Sequence, residues 1–294
     1  MYTAAEMTAG LHLSKAREYW ESDRLELAMQ AMHLALNLGL SPSHIYDLPR
    51  MIEAELTARR EGVRVRCTEH LAVELPELLE PDMRQVLRER ALHAWMDVTE
   101  RLAVRWGKPV LITLFPSEDA SLFVHARYGY YAERTERHKI CLPLYILRGA
   151  FRFAVLHEAT HAALHDAAGD EVPRWFDEGT AVWMEGLSGS DERRLRILRA
   201  RGRLPTMDQV AARLGSYETS LGSDTAATAY AAAGSFIRSL VEAHGGAGVP
   251  PALWIRTLLE EMRRGERFNR AFRKATGESL QGAERRWRAE LQRS

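Results

Sequence analysis

A histidine pair with a glutamate between its members is the part of this sequence whose residue types and spacing could do chemistry. His157 and His161 stand four residues apart and Glu158 directly follows the first of them. Side chains four residues apart lie on one face of an α-helix, so both imidazoles can reach the same metal ion. Glu178 offers a third ligand further along the chain. Two imidazoles, one carboxylate and one open position are typical of a catalytic zinc site.

The segment around the two histidines has the properties of a helix. Residues 148–168 contain no proline, and Gly169 follows them as a helix-ending residue. Apolar side chains recur along the segment at Phe151, Val155, Ala159, Ala162 and Ala163. The alternative is a pair of solvated or hydrogen-bonded helix histidines around an unrelated glutamate. The helix together with Glu178 favours the metal site.

Zinc is the first choice of metal for this ligand set, although manganese or cobalt remain alternatives. A water molecule on zinc has a pKa near 7, which makes hydroxide available at neutral pH. We expect Glu158 to act as the general base that takes the proton of this water and passes it to a leaving amine.

The third ligand has competitors nearby. Glu178 lies three residues after Trp175, on the helix side expected to face the core, whereas Asp177 is displaced by one residue. Gly179 is expected to let this second helix approach the histidine helix closely. His165 continues the histidine face, but it lies about 12 Å along the helix from His157, too far to share one ion. We therefore predict His165 to be at the surface or around the ligands.

These residues carry a family resemblance. His-Glu-x-x-His at 157–161, followed by Pro-x-Trp-x-x-Glu-Gly-x-Ala at 173–181, resembles the gluzincin metallopeptidases and, more narrowly, the bacterial peptidase-MA-like domain. The resemblance covers roughly residues 63–294, and its specific part is 151–186. It implies zinc ligation by His157, His161 and Glu178, and Glu158 as the base. The spacing between the last two ligands is shorter than in thermolysin-like and aminopeptidase relatives.

The resemblance also suggests how the site is completed. It implies that Tyr230 stabilises the oxyanion of the tetrahedral intermediate, with a half-buried structural tyrosine as the alternative and His244 as a weaker rival. No aspartate stands four residues after Glu178, so Asp177, Glu185 or a backbone carbonyl must orient the histidines. The Gly-x-Met-Glu-Asn segment of the related aminopeptidases is missing, which favours endopeptidase or specialised peptidase action.

Substrate is expected to add to an exposed strand before the zinc helix. The two candidate strands are Lys139 to Leu144 and Leu122 to Ala126. The residues between them, Tyr128 to Tyr131, are interpreted as a turn region that forms a cleft wall or belongs to an ordinary hairpin.

The rest of the chain is expected to divide in two. Residues 1–61 are predicted to form a helical region of two amphipathic segments separated by a turn at Gly39, with a hairpin that resembles a tetratricopeptide unit. Residues 62–294 are predicted to form a zincin-like metallopeptidase domain. Strand patterns at Val63 to Cys67, Leu71 to Leu75 and Val110 to Phe115 flank a long helix from Pro81 to Trp106. Strands gathered before a helical half indicate the α+β class.

The amino-acid composition limits the functions and partners that are expected for this protein. The 294 residues carry 40 basic and 40 acidic side chains, which gives no electrostatic argument for nucleic-acid binding. Neither a membrane-spanning run nor a secretory signal is recognisable. The only two cysteines, Cys67 and Cys141, are expected to be reduced structural thiols. These features predict a cytoplasmic protein.

Three functions remain open from the sequence. The first is zinc-dependent hydrolysis of a peptide or protein substrate. The second is a zinc-stabilised interaction module with little or no activity, whose N-terminal helices bind a protein partner. The third is a zinc hydrolase that acts on a non-peptide amide or ester. An intact Glu158 favours an enzyme, because a purely structural site does not require that carboxylate.

Overall fold

The computed structural model describes residues 4–41, 48–115, 130–169, 171–215, 224–245 and 252–293. The first half contains α1 Ala4–Glu21, α2 Leu25–Asn37, α3 Leu48–Arg60, β1 Gly62–Arg66, β2 Leu71–Pro76, α4 Pro81–Leu102, β3 Val110–Phe115, β4 Tyr130–Glu133 and β5 His138–Pro143. After a 3₁₀ turn, Leu144–Arg148, the second half contains α5 Phe151–Ala168, α6 Arg174–Glu185, α7 Gly189–Ala200, α8 Met207–Gly215, α9 Asp224–His244, α10 Leu253–Arg263, α11 Phe268–Thr276 and α12 Leu280–Arg293. The predicted α+β class is confirmed.

The described residues form two compact units. One comprises residues 4–41, 48–91, 108–115 and 130–150, and the other comprises 92–107, 151–169, 171–215, 224–245 and 252–293. The N-terminal helices thus share a unit with the sheet. The proposed functional division between residues 61 and 62 stays a prediction.

The N-terminal region contains three helices rather than two. The first predicted segment is broken after Glu21, where Asp23 adopts a left-handed backbone conformation with φ 59°. Aspartate tolerates this conformation better than most residues, so the chain turns there without a glycine or proline to signal it. Helices α1 and α2 then pack as a hairpin around Ala16, Leu25, Ala28 and Met32. The region thus contains a helical hairpin, but its turn lies at Asp23 and not at Gly39. The resemblance to a tetratricopeptide unit stays a prediction.

The five described strands form one mixed sheet in the order β1-β2-β3-β5-β4. Strands β2, β3 and β5 are parallel, whereas β1 and β4 pair antiparallel at the two edges. Every side chain of β3 and β5 is buried. Because β5 is paired with β3 on one side and with β4 on the other at His138 to Cys141, Lys139 to Cys141 offers no free strand edge. The prediction of a substrate-binding strand is wrong for these three residues, and Leu144 belongs to the following 3₁₀ turn.

The tyrosine segment is also different from the expected turn. Tyr130 and Tyr131 belong to β4, where Tyr131 lies opposite Ile140 and its hydroxyl contacts Nδ1 of His138 at 2.9 Å. This arrangement agrees with the hairpin alternative. Tyr128 and the other candidate strand, Leu122 to Ala126, lie outside the described residues.

A buried ion cluster joins α3 to β5 and to the turn before it. The carboxylate of Glu55 accepts hydrogen bonds from Trp20 and Arg134, each at 3.0 Å, and from Lys139. All three charged side chains are at most 1% exposed. The guanidinium of Arg134 also lies over the ring of Trp20, 3.6 Å from its centroid. Burial of these charges is tolerated because each of them is paired.

The C-terminal unit is built of helices around an aromatic core. Helix α6 packs on both α5 and α9. The core aromatic side chains are Trp175, Phe176, Phe236, Trp254, Phe272 and Trp287.

Helix α4 ends four residues earlier than expected, before the left-handed Ala103, and its predicted apolar stripe is buried. None of the helices in the described ranges has the length and hydropathy needed to span a membrane.

Candidate metal centre

Helices α5 and α6 bring three potential ligands together. His157 and His161 lie one turn apart on α5, with ring centroids 4.9 Å apart, and Glu178 faces them from α6. One donor atom from each of the three residues lies within 4.8 Å of the other two. All three side chains are buried. The group combines the two imidazoles and the carboxylate that the sequence singled out.

The distances between these donor atoms suit a small tetrahedral ion. Oε2 of Glu178 lies 3.5 Å from Nε2 of His157 and 3.7 Å from Nε2 of His161. Two ligands about 2.0–2.1 Å from zinc at a tetrahedral angle are about 3.3–3.4 Å apart. These two separations fit zinc with only a slight contraction, and all three donor atoms lie within 4.8 Å of one another.

The outer nitrogens of both histidines face carboxylates. Nδ1 of His161 lies 2.7 Å from Oδ1 of Asp177, and Nδ1 of His157 lies 3.6 Å from Oε2 of Glu185. A carboxylate at Nδ1 holds the proton there and leaves Nε2 as the nitrogen that can bind a metal. Of the orienting groups considered from the sequence, the structure thus brings Asp177 and Glu185 to the two rings.

The carboxylates dominate the electrostatics of the site when no metal is bound. Burial alone lowers the pKa of His157, but the nearby carboxylates of Glu178 and Glu185 outweigh it and raise this pKa to about 10. The pKa of His161 is likewise lowered by burial and raised by Asp177 to a net value of about 9. Burial raises the pKa of Glu178, yet the two histidines hold it below its ordinary value. The cluster therefore favours positive charge between its carboxylates.

Glu158 differs from its neighbours because it has no such partner. It is 4% exposed and makes no hydrogen bond or ion pair with any residue in the described part of the chain. Burial raises its pKa, although the charges of His157 and His161 act in the opposite direction. A buried carboxylate beside the His-His-Glu group, whose oxygens make no hydrogen bond within the described residues, is suited to accept a proton from a water molecule.

Tyr230 reaches the group from α9. Its hydroxyl donates to Oε1 of Glu178 over 3.5 Å, and burial, followed by the charge of Glu178, raises the pKa of this phenol. The rival His244 instead contacts Glu278 at 2.8 Å. His165 lies 3.5 Å from Oδ2 of Asp177, so it contacts the same carboxylate as His161.

Gly179 allows a close helix approach, but to a different helix than expected. A Cβ atom on Gly179 would lie 2.9 Å from the backbone oxygen of Ala233 on α9, and one on Gly234 would collide with Val182 on α6. The expectation that Gly179 serves contact with α5 is therefore wrong. The paired glycines bring α9 against α6 and with it Tyr230 against Glu178.

One residue of the site was missed in the sequence. Nε of Arg174 lies 3.8 Å from Oε1 of Glu178, and the charge of this guanidinium lowers the pKa of Tyr230, against the larger effect of burial, which raises it. The available signal was the four-residue spacing between Arg174 and Glu178, which places them on one helix face.

Comparison with known proteins identifies the part of the chain that carries this group. Residues 143–293 match the family model of the peptidase MA superfamily. The matched region is just over half of the 294 residues and contains the histidine helix, α6 and α9. No curated protein matches the chain.

Proposed function

The chain belongs to the peptidase MA superfamily, and on that premise we propose that it is a zinc-dependent peptidase. His157, His161 and Glu178 are the proposed ligands, and Glu158 is the proposed general base. The observation that carries this proposal is a buried His-His-Glu group beside a buried glutamate that has no pairing partner among the described residues.

A zinc ion bound by the three ligands would supply Lewis acidity, which lowers the pKa of water and polarises a carbonyl group. The chain's own residues supply the rest. Asp177 and Glu185 hold the histidines with Nε2 directed towards Glu178. Glu158 accepts the proton of the attacking water and delivers it to the nitrogen of the leaving amine. Burial raises the pKa of Glu158, which makes its carboxylate a stronger proton acceptor than a solvated glutamate.

The role of Tyr230 is proposed from the family resemblance. A hydrogen-bond donor opposite the base stabilises the negative charge that develops on the carbonyl oxygen, and such a donor contributes a factor of about 10² to 10³ in rate. Contact between its hydroxyl and Glu178 supports a position at the edge of the metal group. Endopeptidase or specialised peptidase action on a peptide or protein substrate is the proposed activity.

Metal content is the direct test. Wild type, His161→Ala and Glu178→Ala are purified without added metal, offered zinc, and analysed by elemental mass spectrometry. We expect about one zinc per chain in wild type and loss of most of it in both variants. An exposed histidine on α2, His33, provides the control variant His33→Ala, which should keep its zinc.

Hydrolysis is then assayed with a peptide library and with small amide and ester substrates. Cleavage of peptides alone supports the proposed peptidase, whereas cleavage of only the small substrates identifies another zinc hydrolase. Absence of zinc from the wild-type protein contradicts the whole proposal. Stoichiometric zinc without any hydrolysis favours a zinc-stabilised interaction module.

A further inference from the structure

The two oxygens of Glu178 face different groups. Oε2 lies 3.5 and 3.7 Å from the Nε2 atoms of the two histidines. Oε1 instead lies 3.5 Å from the Tyr230 hydroxyl and 3.8 Å from Nε of Arg174. One oxygen thus belongs to the proposed ligand set, and the other belongs to a separate pair of donors.

The position of Arg174 is not explained by helix stability. Arg174 is the first residue of α6, where the helix dipole disfavours a positive charge. An arginine four residues before a glutamate is also the less favourable order for a helical ion pair. A residue that departs from such local preferences is expected to have another role. The guanidinium of Arg174 instead lies near Oε1 of Glu178, with Nε 3.8 Å away.

Tyr230 is directed to the same oxygen by a different element. Close packing of α9 on α6 requires Gly179 and Gly234, since a side chain at either position would meet the other helix. This packing brings the Tyr230 hydroxyl to Glu178, where it donates a hydrogen bond to Oε1 over 3.5 Å. The same oxygen is thus approached from α6 by Arg174 and from α9 by Tyr230.

We propose that Arg174 and Tyr230 are positioning residues that hold Oε1 of Glu178 and thereby keep this carboxylate a one-oxygen ligand. The inference rests on the proposed function, because it concerns the same metal group. A carboxylate can otherwise bind a metal ion through both oxygens. A second oxygen from Glu178 would use the coordination position that a catalytic site keeps open for water or substrate.

Arg174 is the decisive residue for the test. Substitution by glutamine removes its charge, whereas lysine keeps the charge. Loss of an outer partner of a metal ligand typically costs about 10- to 100-fold in affinity or activity. We expect Arg174→Gln to lower kcat in that range with little change in KM, and Arg174→Lys to recover most of the loss. A matched control is Arg256→Gln on α10, which breaks another i,i+4 pair, that with Glu260 at 2.8 Å.

Cobalt provides a readout that does not depend on activity. The visible absorption of Co²⁺ is stronger in four-coordinate sites than in five-coordinate ones. Wild type, Arg174→Gln, the double variant Arg174→Gln with Tyr230→Phe, and Arg256→Gln are loaded with one Co²⁺ per chain. We expect weaker absorption in Arg174→Gln and the weakest in the double variant, while Arg256→Gln resembles wild type. Melting temperatures measured alongside identify a variant that fails to fold.

The outcomes separate this inference from the proposed function. If the double variant folds, binds cobalt and gives the wild-type spectrum, the inference about Oε1 is overturned and the metal site stands. If wild type and Arg256→Gln bind no cobalt or zinc, the proposed function fails and the inference fails with it. A spectrum that changes in Arg174→Gln and returns towards wild type in Arg174→Lys supports the inference.

Discussion

Asp177 contacts Nδ1 of His161 at 2.7 Å, and its neighbour in sequence, Glu178, faces Nε2 of the same ring. The carboxylates of two consecutive residues of α6 therefore face the two nitrogens of one imidazole. This is geometrically feasible because α6 packs directly on α5. The pair explains how the site orients a histidine without an aspartate four residues after Glu178.

Removal of the proposed base should separate metal binding from chemistry. Glu158→Gln keeps the shape of the side chain and leaves the three ligands intact, so zinc content should equal that of wild type. We expect kcat for peptide hydrolysis to fall about 10²- to 10⁴-fold, the usual contribution of a general base. Glu242→Gln, on the exposed side of α9, should leave kcat unchanged. A Glu158→Gln variant of full activity would remove this residue from the mechanism.

Removal of an orienting carboxylate should weaken the metal site without abolishing it. Asp177→Asn takes the negative charge from Nδ1 of His161, so that the ring binds metal less strongly. We expect zinc affinity, measured by competition with a chelator, to fall about 10- to 100-fold. Asp208 is exposed on α8, and Asp208→Asn should keep the wild-type affinity. Equal affinities for all three proteins would show that Asp177 does not support the ligand.

Metal binding should release protons at mildly alkaline pH. The pKa values of His157 and His161 are raised to about 10 and about 9 without metal. Both rings are therefore mainly imidazolium cations at pH 8, and zinc must displace one proton from each of them. Histidines of ordinary pKa, about 6.5, would release almost none at this pH.

Calorimetric titration in buffers of different ionisation enthalpy counts the released protons. We expect about two from the imidazoles at pH 8, with apparent affinity that rises as pH increases towards 9, because fewer protons then compete. A proton lost by a water ligand adds at most one to either count. A total of one or less would contradict the raised histidine pKa values.

The close approach of α6 and α9 predicts a cost for added methyl groups. Alanine at Gly179 gains about 1 kcal/mol from helix propensity, whereas overpacking of a core costs about 1–3 kcal/mol. Contact with the Ala233 backbone makes the second effect larger, so we expect Gly179→Ala to lower stability by about 1–2 kcal/mol and to lower activity. Gly189, in α7, has open space around its Cβ position, so Gly189→Ala should lower neither stability nor activity. Thermal unfolding and kcat measure both effects.

Loss of the buried charge at Glu55 should destabilise the chain strongly. Glu55→Gln leaves Arg134 and Lys139 buried without their carboxylate. Removing one partner of a buried ion pair costs about 3–5 kcal/mol, which should lower the denaturant midpoint of unfolding. The exposed Glu260 pairs with Arg256 on α10, and Glu260→Gln should cost at most about 0.5 kcal/mol. Equal effects of the two substitutions would show that the Glu55 cluster contributes no more than a surface pair.

Local patterns in the sequence were sufficient to predict most of the helices and strands and part of the candidate site. The two histidines share a helix face because four residues complete about one turn, and this follows from spacing alone. The apolar stripe of α4 was predicted from helical spacing, and β3 was predicted from a continuous apolar run. By contrast, the break at Asp23 carries no glycine or proline, and the parallel pairing of β5 with β3 joins strands separated by more than twenty residues.

The sequence by itself determined the donor types, the helical spacing of His157 and His161, and the α+β order of elements, since these depend on neighbouring residues. Only the tertiary structure decided which carboxylates face each nitrogen of His157 and His161. It also decided that Gly179 contacts α9 and that Arg174 and Tyr230 lie near the same oxygen of Glu178. Those relationships arise where α5, α6 and α9 pack together. Packing between helices is set by the shapes of all their side chains, so the spacing within any one helix does not reveal it.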